Sequence, residues 1–586
     1  VVLRDGSMTA TAPLSVQNRQ DSLAPVRSAV TTTAELVLAG PVTGSALEAS
    51  GNTAGSSALG NSADNALSVL SANAATAADL NSLQIVRGDV TATLGGGAVI
   101  QLPFAQGDTI AVTGNDLASA VTGNDVNNRL SVSAATLAAG SGHVDAQAGA
   151  LTSGRGAAAD FALASQQVLD SSAVRPVTLQ ASTVGRFAAA PGALAQNSTI
   201  ELSGNSQSAH VSGNLADSLL TLSAAQLGEG GSGAPGSALA NLQSGNATLR
   251  AASDMVLEGA GNGSGNTLSI KANTNAAAAA MNEASNRLVV DAAQLASLNS
   301  ASGATQAGGT GASLVAGDHV LASEQDAAGL VLADATTAAR SNNPASEFDF
   351  GTMELSGNRT DARAAANKAL NSIDMGTAAT GTADAALLNV QNSDAAVLAS
   401  AASDIGWSGS GQSHSTMLVS GNATSALAQG NTANNALSQQ SLGPISGTAQ
   451  ALVAMPANSA SGGALISNNQ TNAGAITALA SNVDYGGVLN CLGVETASLG
   501  LEGNLVTAAA AGNAATNTLT SGGNSGGLVL DSVQRNSGAV TARVSGAAFS
   551  FAVWPAANGS RLSASSNTVS ASAIGNLAVN SIGAPR

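Results

Sequence analysis

The chain has 586 residues, of which 36 are acidic and 19 are basic, so its formal net charge is −17. This charge argues against nucleic acid and anionic membranes as partners, because both require a basic surface. Only 9% of the residues are charged and 2% aromatic, and no apolar run approaches the roughly 18 residues of a membrane-spanning helix. Cys491 is the only cysteine, which excludes an intrachain disulfide and any CxxC metal or redox motif.

The N-terminal part of the chain contains a phrase that recurs later. LSVQNRQDSLAPVRSAV at 14–30 resembles LASQQVLDSSAVRPVTL at 163–179. The sequence begins with Val1 rather than Met, as expected of a chain whose export signal has been cleaved. We therefore predict a secreted or cell-surface protein in the extracellular space.

A second pattern recurs eight times. It consists of a small residue, usually Gly, then Asn, a second Asn nine residues on, a third Asn four residues further, and Leu or Ile two residues later. In the copy TIELSGNSQSAHVSGNLADSLLTL the third Asn is replaced by Ser218. The copies lie at 46–67, 109–130, 199–222, 267–288, 352–373, 416–437, 498–519 and 561–582.

The chemistry of each copy predicts strands and turns. In Thr199–Ser203 apolar and polar residues alternate, which predicts a β-strand with one buried face. Gly and Asn tolerate left-handed backbone conformations, so each Gly-Asn pair is predicted to end a strand and turn the chain. The predicted structural turn asparagines are Asn52, Asn61, Asn115, Asn124, Asn205, Asn214, Asn358, Asn367, Asn422, Asn431, Asn504, Asn513, Asn567 and Asn576.

Two interpretations of these asparagines remain open from the sequence. Their amides could stack into hydrogen-bonded ladders in successive units, or they could be ordinary exposed turn residues. The alanine run at 276–280 favours a helix by propensity, but we expect its β context to override that preference. The abundant small side chains indicate thin layers stabilised by stacked backbone hydrogen bonds over a long array.

The spacing of the copies reveals a higher-order period. Successive first asparagines are separated by 63, 90, 68, 85, 64, 82 and 63 residues, so short and long intervals alternate. We therefore predict an all-β, β-solenoid-like array of eight units organised as about four double repeats. The predicted boundaries are an N-terminal complementing half-unit at 1–45, double repeats at 46–198, 199–351 and 352–497, and a fourth, incomplete one at 498–586.

These boundaries make the two ends of the chain complementary fragments of one unit. Open strand edges recruit other chains, and head-to-tail contacts that do not close into a ring propagate as filaments. We therefore predict a self-associating filament subunit joined by β-strand complementation. The predicted subunit contacts are Leu14, Val16, Leu23, Val26 and Val30 at one end, and Ile574, Leu577, Val579 and Ile582 at the other.

A family resemblance points the same way. The phrase GNxAxNxL at 430–437 and 575–582 resembles the repeats of secreted bacterial fibre proteins, among them the Fap functional-amyloid subunits. The resemblance covers about ten residues per repeat, and the chain lacks the Gln-rich tracts and C-terminal CxxC typical of those subunits. It implies an exported, self-assembling bacterial surface protein.

Two further functions are considered. The first is a monomeric β-solenoid adhesin or ligand-binding surface protein, with the extracellular matrix and glycans as candidate partners. The second is a glycan-active β-helix enzyme, for which Glu347 and Asp349 in SEFDFGTMEL are the best carboxylate pair. The same alternation predicts that Phe348 and Phe350 share the opposite face. We expect solvated edge charges here, no enzymatic activity, and no catalytic, metal or cofactor site.

Overall fold

The described part of the chain folds almost entirely into β-strands, as its alternating sequence predicts. The computed structural model describes residues 14–74, 77–137, 144–147, 156–172, 176–190, 194–227, 236–259, 263–295, 305–308, 313–343, 348–378, 380–381, 383–441, 448–454, 457–522, 527–554 and 556–583. These residues include no helix, and the alanine run at 276–280 lies in a strand, as expected. The all-β class is confirmed.

The chain runs repeatedly through three sets of parallel strands in the same order, and one such round is called a pass. The first two passes contain β1 (Leu14–Ser22), β2 (Val26–Val37), β3 (Val42–Thr43), β4 (Ala46–Ser50), β5 (Thr53–Ala74), β6 (Ala78–Val86), β7 (Val90–Gln101), β8 (Phe104–Gln106), β9 (Thr109–Thr113) and β10 (Asp116–Leu137). A hairpin of β11 (Val144–Gln147) and β12 (Gly156–Ala159) follows. The next two passes contain β13 (Phe161–Asp170), β14 (Thr178–Ala189), β15 (Leu194–Gln196), β16 (Thr199–Ser203), β17 (Ser206–Leu227), β18 (Ser237–Gly259), β19 (Gly263–Ser264), β20 (Thr267–Lys271) and β21 (Thr274–Leu295).

The second half of the chain repeats this order. After β22 (Thr305–Gly308) and β23 (Leu314–Gly317) come β24 (His319–Asn343), β25 (Phe348–Asp349), β26 (Thr352–Ser356), β27 (Arg359–Ala378), β28 (Thr380–Gly381), β29 (Ala385–Ser393), β30 (Ala396–Ser413), β31 (Thr416–Ser420) and β32 (Ala423–Ser441). After β33 (Ala449–Ala454) and β34 (Ala457–Gly462) come β35 (Ala464–Asn472), β36 (Ile476–Ser481), β37 (Asp484–Glu495), β38 (Ser498–Glu502), β39 (Leu505–Ser521), β40 (Leu528–Asn536), β41 (Val540–Ser545), β42 (Ala548–Val553), β43 (Ala557–Asn558), β44 (Arg561–Ser565) and β45 (Thr568–Gly583).

Strands from successive passes stack side by side, all parallel. The long-strand sheet has the order β5-β10-β17-β21-β27-β32-β39-β45, and β28 also pairs with β21. The short-strand sheet has the order β4-β9-β16-β20-β26-β31-β38-β44. The third sheet, called the large sheet, comprises 19 described strands. Within it, the strands that open each pass stack as β1-β6-β13-β18-β24-β29-β35-β40.

The pairing register places equivalent residues of successive passes beside one another. Asn124, for example, pairs with both Asn61 and Asn214. Because neighbouring strands lie about 4.8 Å apart, each position of the pass generates a row of side chains along the stack. A row therefore repeats one chemical character from pass to pass, and this organises the candidate site described below.

The two Gly-Asn pairs of each copy have different backbone roles. Gly204 ends β16 with φ of +61°, so the first pair turns the chain as predicted. The second pair, Gly213-Asn214, lies inside β17, so the prediction that it ends a strand is wrong. A side chain at Gly213 would collide with the carbonyl oxygen of Met281 in the next pass. The second glycine therefore permits close stacking rather than a left-handed turn.

Small and aliphatic residues fill the interior in layers. One cluster joins Ile200 of the short strands, Val211 of the long strands and Leu179 of the large sheet. A second joins Leu163 on the strands that open each pass to Leu220 on the far part of the long strands. Ile200 and Leu202 are both fully buried, which is the alternation that predicted a one-sided strand.

Among the described residues, three hairpins interrupt the series after β10, β21 and β32, that is, after every second long strand. They pair antiparallel with one another in the order β11-β12-β22-β23-β33-β34. Their alanines and valines cover the outer face of the strands that open the passes, for example Ala157 and Val315 in the cluster with Ala162 and Val320. The hairpins lie in the intervals that separate first asparagines by 90, 85 and 82 residues.

The structure corrects the interpretation of the N-terminal phrase in two ways. Val16, rather than Leu14, is equivalent to Leu163, because both pair with Leu80. In addition, β1 and β2 pair with β6 and β7 of the same chain, so 14–45 is the start of a whole pass rather than an unpaired half-unit. The sequence pattern places the boundaries at the start of each Gly-Asn copy, whereas each pass of the structure begins earlier, in the large sheet.

Candidate functional site

The first asparagine of every copy belongs to a continuous row of side-chain hydrogen bonds. The row comprises Asn52, Asn115, Asn205, Asn273, Asn358, Asn422, Asn504 and Asn567. In each bond Nδ2 donates to Oδ1 of the next pass at 2.8–3.0 Å. From the second pass on, Nδ2 also donates to a backbone carbonyl of the preceding pass, such as Leu202 from Asn273. These contacts show that the first asparagines form a hydrogen-bonded ladder and are not ordinary exposed turn residues.

The second asparagines form another continuous row. It comprises Asn61, Asn124, Asn214, Asn282, Asn367, Asn431, Asn513 and Asn576, with Nδ2···Oδ1 distances of 2.7–2.9 Å. Each Nδ2 of the first seven also donates to a backbone carbonyl of the large sheet in the next pass, such as Val168 from Asn124. This second bond ties the long-strand sheet to the large sheet, so the row joins the two sheets at their common corner.

A row of glutamines faces the second asparagine row from the large sheet. It comprises Gln20, Gln84, Gln167, Gln243, Gln325, Gln391, Gln470 and Gln534, with Nε2···Oε1 distances of 2.7–2.9 Å. Each Nε2 also donates to the carbonyl of the residue that follows the second asparagine, such as Leu215 from Gln167. The two amide rows thus donate hydrogen bonds to backbone carbonyls of the facing sheet along the whole corner.

The third asparagine row is interrupted. Asn65 donates to Asn128, and the row continues from Asn286 through Asn371, Asn435 and Asn517 to Asn580. Between Asn128 and Asn286 lies Ser218, whose shorter side chain bonds to neither. Nδ2 of Asn128, Oγ of Ser218 and Oδ1 of Asn286 are consequently buried without a hydrogen-bond partner. One substitution in the motif therefore leaves three unsatisfied atoms.

The last pass exposes residues of β44 and β45 whose row neighbours in the preceding pass are buried. Ile582 is 52% exposed, whereas Leu519 beside it is fully buried. Val569 and Leu562 are likewise 49% and 46% exposed, against full burial of Val506 and Leu499. The interior rows therefore continue to the last described strand, and no described strand covers them there.

The predicted subunit contacts lie at opposite edges of the stack within one chain. Leu14, Val16, Leu23, Val26 and Val30 lie on β1, on β2 or between them, at the edge formed by the first pass. Ile574, Leu577, Val579 and Ile582 lie on β45 at the other edge. Leu14 and Leu23 are exposed, Val16, Val26 and Val30 are half-buried, and the four residues of β45 are exposed.

The predicted carboxylate pair is only partly within the described residues, because Glu347 lies outside them. Asp349 accepts a hydrogen bond from Ser413 and lies 3.7 Å from the His414 ring nitrogen Nδ1. Phe348 is buried, but Phe350 is 63% exposed and stacks on His414 at 4.5 Å, so the prediction that both phenylalanines share a face is wrong. Phe350 sits at the corner with φ of +51°, where the strand alternation ends.

The remaining histidines are dispersed, and His143 lies outside the described residues. His210 bonds Ser212 at 2.9 Å, and His319 is buried with Nδ1 2.8 Å from Oγ of Ser237. In the part of the chain that the structure describes, no group of three or more His, Cys, Asp or Glu could hold a metal ion. The same part contains no helix long and apolar enough to cross a membrane.

Two buried aspartates lie side by side where passes five and six begin. The Asp318 amide donates to Oδ1 of Asp384 at 2.6 Å, and the Asp384 amide donates to Oδ2 of Asp318 at 3.0 Å. Burial and the Asp318 carboxylate together raise the pKa of Asp384 to about 7. Burial lowers the pKa of the adjacent His319 to about 4. The carboxyl groups of Asp318 and Asp384 and the neutral imidazole of His319 are therefore buried close together.

Replacing Asp384 by Asn should stabilise the protein at neutral pH. The folded state holds the Asp384 proton between about pH 4 and pH 7, so the contribution of this carboxyl to stability falls as the pH rises through that window. Asn keeps the acceptor for the Asp318 amide but cannot ionise. We expect the free energy of unfolding to rise by about 2 kcal/mol at pH 8 and to change little at pH 4, measured by denaturation at both pH values. An equal effect at the two pH values would contradict this explanation.

A groove of about 660 Å³ crosses the long-strand sheet just beyond the second asparagine row. Its floor is apolar, with Val126, Ala216 and Ala284 in one row. Its rim carries Asp125, Asp217, Leu370 and the ion pair of Glu283 with Lys368 at 2.9 Å, among other residues. The groove thus has an apolar floor and a mainly acidic rim.

Comparison with known proteins adds no relative. No protein-family model, curated protein or solved structure matches this chain. The functional conclusion therefore rests on the geometry of the rows and edges.

The sequence-based predictions do not include the glutamine row, although its residues occur in phrases that recur along the chain. The phrases LASQQ at 163–167 and LASEQ at 321–325 carry Gln167 and Gln325, and the phrases at 83–93 and 242–252 carry Gln84 and Gln243. The usable signal was a Gln in each of them, in a protein whose turns are rich in Asn.

Proposed function

We propose that this chain is a non-enzymatic structural subunit of an extracellular bacterial filament, joined head to tail through its open sheet edges. The observation that carries the proposal is the exposure of the interior rows at β45, where Ile582 is half exposed and Leu519 beside it is buried. Such an edge has unpaired backbone groups and apolar surface, which together recruit a further strand layer. Because the two edges differ, their contact is heterologous and propagates.

The proposed architecture is a β-solenoid of eight passes organised as four double repeats. The hairpins after every second long strand support the double repeat, since they lie in the long intervals between first asparagines. The joint differs from the strand donation expected from sequence. Because β1 pairs with β6 of its own chain, the proposed contact adds one whole pass to another, edge to edge.

The motif resemblance and the charge support the extracellular placement. The phrase at 575–582, which resembles the repeats of secreted bacterial fibre proteins, forms the proposed joining strand β45. A net charge of −17 and scarce lysine suit a surface that does not bind nucleic acid or anionic membranes. The partner proposed here is a second copy of the same chain.

The proposal is tested by charging the interior edge. Ile582→Lys places an ammonium in the row of Leu519, and burying it at the joint should raise the concentration needed for assembly by at least about 30-fold. Val579→Lys is the matched control. The sequence predicts Val579 as a subunit contact, but its row faces outward and includes the exposed Asp217 and Asn434, so a lysine there stays in solvent. Circular dichroism checks that both variants fold.

The readout is negative-stain electron microscopy with sedimentation. We expect filaments from the unsubstituted chain and from Val579→Lys, and single rods from Ile582→Lys. Filaments from Ile582→Lys at the unsubstituted concentration would contradict the proposal, as would single rods from the unsubstituted chain.

The groove favours a second candidate function, that of a monomeric adhesin or ligand-binding surface protein. Its apolar floor at Ala216 and Ala284 and its acidic rim at Asp125 and Asp217 form a continuous surface over several passes. The two candidates differ in the same micrographs, because an adhesin of this kind remains a single rod at every concentration.

A further inference from the structure

The asparagine rows have a direction. In the first and second rows every bond runs from Nδ2 of one pass to Oδ1 of the next, from Asn52 and Asn61 at one edge to Asn567 and Asn576 at the other. As far as the structure describes the chain, each row therefore ends with an unused acceptor at the edge of the first pass and an unused N–H at the edge of the last. Within the described residues, Oδ1 of Asn61 accepts no bond, and Nδ2 of Asn576 donates none.

The glutamine row runs in the opposite direction. Nε2 of Gln84 donates to Oε1 of Gln20, and the same sense holds up to Gln534, which donates to Gln470. One N–H of Gln20 donates to the carbonyl of Ser62, and the other has no acceptor among the residues that the structure describes at the first edge. Oε1 of Gln534 is left over at the last edge, where no bond to it is made among the described residues.

These two directions make each edge complementary to the other and not to itself. The edge of the last pass offers an asparagine donor beside a glutamine acceptor, and the edge of the first pass offers the reverse. Two last-pass edges placed together with like rows in line would oppose donor to donor in the asparagine rows and acceptor to acceptor in the glutamine row. A buried amide group left without a partner loses its hydrogen bond to water and gains none, so this arrangement is penalised in both rows.

We infer that the amide rows fix the polarity and the register of the joint between two copies, an inference that rests on the proposed filament function. Nδ2 of Asn576 donates to Oδ1 of Asn61 in the next copy, and Nε2 of that copy's Gln20 donates to Oε1 of Gln534. The rows then continue through the joint with the spacing that they have inside each chain. In this register β45 lies parallel to β5 of the next copy.

The register makes a specific neighbour prediction. Ser581 belongs to an outward-facing row that passes through Thr518, Ala436, Ser372, Arg287, Leu219 and Arg129 to Ala66. Ser581 of one copy therefore lies opposite Ala66 of the next. Directly opposed residues on neighbouring strands are about 4.8 Å apart, which is within the Cα separation of 4.4–6.8 Å that a disulfide spans. Both positions are exposed in the single chain.

Disulfide trapping in the full chain tests the inference, with Cys491→Ala as the background so that no other thiol is present. The test variant combines Ser581→Cys with Ala66→Cys. The register control combines Ser581→Cys with Ser68→Cys, two residues further along the same face of β5. The polarity control carries Ser581→Cys alone. Each is assembled, oxidised and resolved on a non-reducing gel, and filaments are counted by electron microscopy before oxidation.

We expect a series of covalent oligomers from the test variant and only monomers from both controls. Covalent dimers from Ser581→Cys alone would place two last-pass edges together and overturn the polarity. Oligomers from the register control in place of the test variant would overturn the register, as would filaments that the test variant cannot link. If no variant assembles before oxidation and the Cys491→Ala background does not either, the filament proposal itself fails, which is a separate result from a wrong register.

Discussion

Replacing Asn431 by Asp is expected to lower the free energy of unfolding by about 3–5 kcal/mol. Asn431 lies in the middle of the second asparagine row and is fully buried. It accepts a bond from Asn367 at 2.8 Å and donates to Oδ1 of Asn513 and to the carbonyl of Thr471, both at 2.8 Å. Asp has the same shape and keeps the acceptor, but its second oxygen faces two other oxygens.

The loss should depend on pH in a direction that follows from this geometry. Burial and the facing oxygens raise the pKa of an aspartic acid at position 431 in the folded state above its unfolded value. A protonated carboxyl regains one donor, so the deficit should be largest at neutral pH and should shrink as the pH falls towards 4. Chemical denaturation followed by circular dichroism at pH 7 and pH 4 measures both quantities.

Asn434→Asp is the matched control. Asn434 lies three residues further along β32 and is exposed, so the same change of amide to carboxylate there should cost less than about 0.5 kcal/mol. Equal losses at 431 and 434 would mean that an asparagine in the row stabilises the fold no more than an exposed asparagine does, and the ladder would then have no energetic role.

Replacing Ser218 by Asn should stabilise the chain by about 2 kcal/mol. The substitution restores the motif residue at the one interruption of the third row, between Asn128 and Asn286. The new Oδ1 accepts from Nδ2 of Asn128, and the new Nδ2 donates to Oδ1 of Asn286, which removes two of the buried unsatisfied atoms. Each such atom costs about 1–3 kcal/mol when it has no partner.

The control for this repair is Asp217→Asn, an exposed neighbour on the same strand that introduces the same side chain without entering the row. We expect the midpoint of denaturant unfolding to rise for Ser218→Asn and to stay within error for Asp217→Asn. A lower midpoint for Ser218→Asn would show that the chain has closed around the serine and that the larger amide overpacks the corner.

The parts of the fold that could be predicted from sequence are those written in a local pattern. Alternation in Thr199–Ser203 predicts the short strand, and Gly204-Asn205 predicts its turn, because both depend on the conformational preferences of neighbouring residues. The second pair, Gly213-Asn214, has the same two residue types, but its glycine is needed for a different physical reason. Its glycine is required by contact with Met281 in the next pass, which no local pattern reports.

The candidate site likewise has one part that could be predicted from local sequence and one part that could not. The asparagine positions follow from a fixed spacing within each copy, and their stacking follows once the copies are parallel. The direction of the rows could not be predicted, because it depends on which side of each amide faces the next pass. The hairpin at 305–308 and 314–317 was also missed, since its strands pair with other hairpins that are distant in sequence.

The hairpins recur after every second long strand, and this sets the step by which such a molecule can change its size. Duplicating or deleting one stretch of chain that carries two passes and a hairpin leaves every side chain beside the equivalent residue of the neighbouring pass. Removing a single pass would bring two hairpins next to each other or leave a gap between them. Genetic lengthening of the rod is therefore expected in increments of about 10 Å, the thickness of two strand layers.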